Sequence, residues 1–176
     1  MDFSKKSVEI LTQGYTLIKT PKAVNSEFEQ LIELRARHRD TSILLEKILN
    51  GTTFISGSLC KVLDKQYDGL GLFDAFVKAS LEHRHRVHLL RFSSVVGQPQ
   101  THTDFFTLYF REGRGCLQFY RNGTWFNAPM QSDTAVAFFG SHAQHFHPEF
   151  TPMKFRVIRS DTARSSAAIV AFFYVS

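Results

Sequence analysis

The sequence has few cysteines and no long uninterrupted apolar run. Cys60 and Cys116 are its two cysteines, which are too few and too far apart in sequence to indicate a disulfide framework. No stretch approaches the roughly 18 apolar residues that a membrane-spanning helix requires, and no apolar segment follows Lys5 and Lys6. These absences favour a reducing compartment, and we expect a cytoplasmic location with no membrane insertion.

The sequence signatures of several enzyme classes are also missing. The chain contains no G-x-S-x-G sequence around a nucleophilic serine. It contains neither a G-x-G-x-x-G loop nor a P-loop for phosphate, and neither cysteine has a recognisable catalytic partner. Nucleophilic hydrolysis and nucleotide binding are therefore not indicated.

The charge balance is basic, but the basic residues are dispersed. Lysine and arginine total 21 against 16 acidic residues, which gives a formal net charge of +5. Such a charge is compatible with an acidic partner such as nucleic acid. The densest group, however, is His83-Arg84-His85-Arg86, and the other cations are scattered along the chain. We therefore interpret the charge as a solvated surface and do not expect nucleic-acid binding.

What the sequence does contain is abundant phenylalanine and a change of apolar period near residue 86. The 18 phenylalanines of this 176-residue chain are concentrated after residue 90, which favours a β-rich second half. Before residue 86, the apolar spacings predict one strand at 15–19 and helices at 3–13, 25–37, 41–50 and 72–82. We interpret residues 51–70 as mainly loop, with a short helix around 59–63, because Gly and Ser recur there.

The second half has the pattern of antiparallel strands. We predict strands at 87–92, 104–111, 116–121, 124–127, 134–139, 155–159 and 166–175, with a turn at Gly113–Gly115. Asn122-Gly123 is the strongest short hairpin signal in the chain. Evenly spaced strands behind a helical front predict an α+β fold with a jelly-roll, or double-stranded β-helix, core. No linker or repeat divides the chain, so we expect one domain over 1–176, in which 1–85 supports a core formed by 86–176.

The candidate functional residues begin with His102 and Asp104. The side chains of an H-x-D segment at a strand end point to the same side, because strand side chains alternate. One imidazole nitrogen and one carboxylate oxygen are two of the three ligands of a facial 2-His-1-carboxylate Fe(II) site. Roughly one such pair is expected by chance in a chain of this composition. A metal site at His102 and Asp104 can therefore be inferred only with support from the surrounding sequence.

Three further segments follow the H-x-D pair at intervals along the second half. In order, the four are His102-Thr-Asp104-Phe-Phe-Thr-Leu108, the hairpin Cys116-Leu-Gln-Phe119 to Gly123-Thr-Trp125, the turn Gly140-Ser141, and Phe155-Arg-Val157 followed by Arg164-Ser-Ser166. Together they resemble the iron- and 2-oxoglutarate-dependent oxygenases, specifically the isopenicillin-N-synthase-like branch. The resemblance extends over most of the chain and is strongest from about residue 86 to the end.

The resemblance implies Fe(II) and 2-oxoglutarate as cofactors. His102 and Asp104 would bind the iron, and the keto-acid end of 2-oxoglutarate would chelate it. Arg164 and Ser166 would bind the distal carboxylate, and their i, i+2 spacing places both on one strand face. The implied activity is oxidation or hydroxylation of a C–H bond in a substrate that the sequence does not identify.

Phe155 departs from the family's pattern, because it stands where the resemblance places the second histidine ligand. A phenyl ring has no lone pair to give, so the usual triad is incomplete. Two interpretations stay open. In the first, the site has lost its iron chemistry and the chain is a binding module on the same fold. In the second, His145 or His147, in the loop 142–147, supplies a replacement ligand.

Overall fold

The computed structural model describes residues 1–37, 40–92, 96–112, 116–131, 133–158 and 166–175. Within these ranges the helices are α1 (Phe3–Gln13), α2 (Lys22–Ala36), α3 (Ser42–Gln66) and α4 (Leu72–Leu81), and a 3₁₀ helix covers Ser141–His145. The strands are β1 (Tyr15–Lys19), β2 (Arg86–Phe92), β3 (Phe106–Glu112), β4 (Cys116–Arg121), β5 (Thr124–Asn127), β6 (Thr134–Phe139), β7 (Lys154–Ile158) and β8 (Ser166–Phe173). None of the described helices is both long and apolar enough to cross a bilayer.

The described strands form two antiparallel sheets. The larger sheet has the strand order β1-β6-β3-β8-β2, and the smaller has the order β5-β4-β7. β3 lies in the middle of the larger sheet, where Phe106 is opposite both Phe139 of β6 and Phe173 of β8. Antiparallel sheets accompanied by helices were expected from the sequence, and the structure confirms them.

β6 shows how the layers are held together, because it is buried on both faces. Ala137 and Phe139 belong to an apolar cluster that the large sheet shares with the helices. The alternate residues Val136 and Phe138 belong to a second cluster, which the large sheet shares with the small one. The ring centroids of Phe138 and Phe119, on β4, are 5.2 Å apart. The high phenylalanine content thus fills the space between layers.

The prediction for α3 was wrong. The sequence predicted a helix that ends at Asn50-Gly51 and mainly loop over 51–70, but α3 continues to Gln66. Glycine in a helix interior costs about 1 kcal/mol relative to alanine. Burial of Ile55, Leu59 and other apolar side chains beyond Gly51 offsets this cost.

The glycines within α3 lie where other helices approach closely. A Cβ on Gly51 would lie 2.7 Å from Val24 Cγ2 of α2, and a Cβ on Gly57 would lie 3.0 Å from Phe76 Cε1 of α4. Both distances are too short for an undisturbed contact. These glycines therefore permit helix packing and do not end the helix.

The other predicted elements agree with the structure more closely. α1, β1, β4, β5 and β6 have the predicted bounds, and α4 ends one residue early. Asn122 and Gly123 have φ angles of 50° and 81°, the left-handed values that a tight hairpin requires. α2 begins at Lys22, before the predicted start at residue 25. The predicted turn Gly113–Gly115 and residue 159 lie outside the described residues.

His85 connects α4 to the residue that follows β8. His85 is buried, with only 5% of the residue exposed. Its ring stacks on that of Phe76, and the two ring centroids are 4.6 Å apart. The amide of Tyr174 donates to Nδ1 at 3.2 Å, so Nε2 carries the proton and donates to Ser80 Oγ at 2.8 Å. Burial lowers the pKa of His85 to about 4. The folded state therefore requires the neutral ring.

We expect His85 to make the folded protein less stable in mild acid. Its folded pKa of about 4 lies below the ordinary value of 6.5, so the unfolded chain binds a proton first as the pH falls. The contribution of neutral His85 to the free energy of unfolding is therefore present above pH ~6.5 and is lost towards pH ~4. The loss is at most about 1.4 kcal/mol per pH unit. Urea unfolding at about pH 7 and about pH 5 should show a smaller acid loss for His85→Gln than for the unchanged protein. Equal losses would contradict this assignment.

Candidate metal centre

The H-x-D segment leads into β3 at a point where several strand ends meet. The amide of Ser141 donates to the carbonyl oxygen of His102 at 2.7 Å, and the amide of Gly140 donates to that of Phe105 at 3.0 Å. The amide of Phe105 in turn donates to the carbonyl oxygen of Phe173 at 2.9 Å. Backbone bonds from the ends of β6 and β8 therefore position the candidate ligands.

Thr107 joins the two candidate ligands. Its hydroxyl donates to Asp104 Oδ2 at 2.8 Å and lies 2.9 Å from Nδ1 of His102. Because the hydroxyl has a single proton, Nδ1 must be the donor in the second bond. The lone pair of the neutral imidazole is then on Nε2. Thr107 thus selects the tautomer in which Nε2 can bind a metal ion or accept a proton.

The carboxyl group of Asp104 is almost completely buried. The residue is 1% exposed, and Oδ1 has no hydrogen-bond partner among the described residues. Burial raises the pKa of Asp104 to about 7, against the lowering effect of the bond from Thr107. A Cβ on Gly140 would lie 2.2 Å from Oδ1, so glycine at that position leaves room for the carboxyl group. Near neutral pH the group can either donate or accept a proton.

Burial shifts His102 in the opposite direction and lowers its pKa to about 4. Between about pH 4 and pH 6.5 the unfolded pair carries its proton on the imidazole, whereas the folded pair carries it on Asp104. As the pH rises through this window, the lowered pKa of His102 increases the free energy of unfolding, and the raised pKa of Asp104 decreases it. Folding therefore moves the proton from the imidazole to the carboxyl group with little net proton uptake.

Aromatic rings surround the imidazole of His102. Phe155 and Phe172 contact it edge to face, with centroids 4.5 Å and 4.8 Å away, and the centroid of Phe138 is 6.2 Å away. Phe155 is 1% exposed. Its backbone pairs in both directions with Gln100, through N–H to O bonds of 2.8 Å and 2.9 Å. β7 therefore contributes a phenyl ring, and no donor atom, beside His102.

The loop histidines are not assembled with this pair. Nδ1 of His145 lies 3.2 Å from the carbonyl oxygen of His142. The ring of His147 packs on Tyr67, at the end of α3, with centroids 4.3 Å apart. In the described part of the chain, no three His, Cys, Asp or Glu side chains form a group that could hold a metal ion. That His145 or His147 completes the site stays a prediction.

The predicted 2-oxoglutarate ligands also stay predictions. Arg164 lies outside the described residues. The backbone of Ser166 begins β8 opposite Phe92, and nothing is described of its side chain.

The described residues supply two candidate donor atoms and not a complete facial triad. Nε2 of His102 has its lone pair available, and the unpartnered Oδ1 of Asp104 is an orphaned buried acceptor among the described residues. A facial Fe(II) site needs a third protein ligand, and Phe155 provides none. The sequence had pointed to His102, Asp104 and Phe155. It did not reveal the role of Thr107, because that role depends on the path of the chain from Asp104 into β3.

Comparisons with known proteins concern the whole chain. No protein-family model matches this chain, and no curated protein matches it. Solved structures do. A full-length Neurospora crassa protein, in complex with alpha-KG and 5-formyluracil, has a TM-score of 0.80 at 13% identity, covering 99% of this chain and 78% of that one.

Two further solved structures are similar. JOX2 in complex with 2OG, Fe and JA has a TM-score of 0.75 at 11% identity, covering 99% of this chain and 71% of that one. A Pseudomonas putida prolyl-4-hydroxylase has a TM-score of 0.66 at 12% identity, covering 100% of this chain and 96% of that one. This chain has the fold of the 2-oxoglutarate oxygenases. At such low identities the similarity concerns the backbone and does not carry over a set of ligands.

We expect the hydroxyl of Thr107 to stabilise the His102–Asp104 pair. Thr107→Val keeps the shape of the side chain but leaves Nδ1 and Oδ2 without this partner. Unpaired buried polar groups cost about 1–3 kcal/mol, so urea unfolding at about pH 7 should show a loss of that size.

Thr107→Ser is the matched control, because it keeps the hydroxyl. Nitrogen-15 NMR of the His102 ring should show the Nδ1–H tautomer in the unchanged protein and in the serine variant, but not in the valine variant. The same tautomer in all three proteins would show that Thr107 does not select it.

Proposed function

We propose that this chain is a binding protein on the 2-oxoglutarate oxygenase fold whose iron site is incomplete. The observation that carries the proposal is the buried ring of Phe155, whose centroid lies 4.5 Å from that of His102. Phe155 occupies the position at which the sequence resemblance places the second histidine ligand. The proposal includes a double-stranded β-helix core, which the packing of the two sheets on a shared apolar cluster supports.

The packing of Phe155 supports a structural role for the ring. Its centroid lies 5.4 Å from that of Phe138, on the facing sheet, in addition to its contact with His102. Aromatic pairs of this kind contribute about 0.5–1.5 kcal/mol beyond the burial of area. Phe155, at the position where the resemblance places a histidine ligand, therefore also joins the two sheets.

The remaining polar atoms define the class of ligand that the site suits. Nε2 of His102 can accept a hydrogen bond, and Asp104 can donate or accept one because its pKa is raised to about 7. Phe172 supplies partly exposed apolar surface beside His102, and the buried rings of Phe138 and Phe155 lie near the same imidazole. A small molecule with an apolar body and one polar group would match this combination.

A second candidate function is an atypical Fe(II)/2-oxoglutarate oxygenase, and the unpartnered Oδ1 of Asp104 favours it. His102 and Asp104 would hold the metal ion, with Arg164 and Ser166 on the 2-oxoglutarate and His145 or His147 as a further ligand. Bound iron would supply the oxidising chemistry. The contribution of Thr107 would be to orient His102 with Nε2 free of its proton.

Metal titration of position 155 variants distinguishes the two functions. For the unchanged protein under anaerobic conditions, we expect weak Fe(II) binding with or without 2-oxoglutarate. Phe155→His should tighten Fe(II) binding by at least about tenfold, equivalent to about 1.4 kcal/mol, because it adds a nitrogen donor beside His102. Calorimetry measures the affinity, and succinate formation measures turnover.

Phe155→Leu is the matched control, since it removes the ring without adding a donor, and urea unfolding of each variant checks that it is folded. Tight Fe(II) binding and succinate formation by the unchanged protein would overturn the proposed function. If His145→Ala or His147→Ala then abolished binding, the loop would be the source of the third ligand.

A further inference from the structure

The small sheet has one face on the core and one face directed away from it. Leu117, Phe119 and Phe155 lie in the buried cluster between the sheets. Because strand side chains alternate, their neighbours lie on the opposite side, which we call the outer face; it includes Gln118, Tyr120, Trp125, Asn127, Lys154 and Arg156. Tyr120 is 39% exposed, and Asn127 and Lys154 are exposed as well.

Two aromatic rings lie side by side on the outer face, and each is paired with a cation. Tyr120 and Trp125 are opposite each other in the strand register, with ring centroids 5.1 Å apart. Nζ of Lys154 lies 5.5 Å from the Tyr120 centroid, and the guanidinium carbon of Arg156 lies 4.2 Å from the Trp125 ring centroid. These distances are within the range of cation–π contacts.

Hydrogen bonds fix the guanidinium of Arg156 over the indole. Nε of Arg156 donates to Gln118 Oε1 at 2.9 Å, and Nε2 of Gln118 donates to Asn127 Oδ1 at 2.7 Å. The bond to Gln118 uses Nε, so the two terminal nitrogens are the groups suited to a phosphate. The cation is thus oriented before any ligand arrives, which lowers the entropy cost of binding.

The charge of the small sheet is of one sign. β4, β5 and β7 contain Arg121, Lys154 and Arg156 but no aspartate or glutamate. Lys154 and Arg156 are the cations of the outer face, whereas Arg121 alternates to the other side of β4 and its guanidinium donates to the carbonyl oxygen of Thr12 at 2.9 Å. Neither Lys154 nor Arg156 belongs to an ion pair between described residues. A face that combines this charge with two aromatic rings complements an anionic partner that has planar groups.

We propose that the outer face binds single-stranded nucleic acid, with bases on Tyr120 and Trp125 and phosphates beside Lys154 and Arg156. Aromatic side chains on an open surface with neighbouring cations are a known means of binding single strands with little sequence preference. In a duplex the bases are already paired and stacked, so the two rings offer it little. The face is separate from His102 and Asp104, and its binding of nucleic acid does not depend on the function proposed for them.

Trp125 provides the probe for a test, because it is the single tryptophan of the chain. Oligonucleotides of about 12 nucleotides, oligo(dT) and oligo(U), should quench its fluorescence on binding. With about two phosphates neutralised, by Lys154 and Arg156, log Kd should change with log salt concentration with a slope of about 1.4 in magnitude. A DNA duplex of equal length should bind at least about tenfold more weakly.

Variants of the outer face separate the contribution of charge to oligonucleotide binding from that of base stacking. Lys154→Glu should weaken oligonucleotide binding at least about tenfold through charge, and Tyr120→Ala should do so through lost stacking. Lys78→Glu, on α4, makes the same change of charge elsewhere and should have a much smaller effect. Urea unfolding of each variant confirms that it is folded.

Three outcomes would overturn the proposal. The first is the absence of quenching, and of any change in oligonucleotide anisotropy, at about 100 µM protein in low salt. The second is an equal loss for Lys78→Glu and Lys154→Glu, which would assign binding to net charge alone. The third is unchanged oligonucleotide affinity in Tyr120→Ala together with equally tight binding of heparin, a polyanion without bases.

Discussion

The buried carboxyl group of Asp104 needs a hydrogen-bond donor for one oxygen and free space beside the other, and different parts of the chain supply them. One oxygen accepts from Thr107, and the other lies where a side chain at position 140 would clash with it. If β3 moved by one residue in its register, the hydroxyl of Thr107 would turn to the other face of the sheet. The alignment of β3 with β6 and β8 and the state of the candidate site are therefore coupled.

The strands and most of the helices were predictable, because the relevant information is local. Alternation of apolar residues located the strands, and Asn122-Gly123 located a hairpin. α3 was predicted wrongly because burial of the apolar side chains beyond Gly51 outweighs the local tendency of glycine to end a helix, and close packing against Val24 leaves no room for a side chain at Gly51. Local sequence contains no record of such contacts.

Less of the candidate site could be predicted. The sequence singled out the H-x-D pair and Phe155, and the structure places all three together. It could not indicate that Thr107 selects the tautomer of His102, or that Lys154 and Arg156 lie beside the Tyr120–Trp125 pair. These relations join strands that are distant in sequence.

Because the main chain of Phe155 pairs with Gln100, the backbone holds the strand in place and the side chain is left for another role. The N–H and C=O groups of position 155 both bond to Gln100, so the direction of the side chain does not depend on what that side chain binds. Different residues can therefore be presented at the same point without a change in the path of the strand. In evolutionary terms, such a position can lose or regain a chemical role while the scaffold that presents it persists.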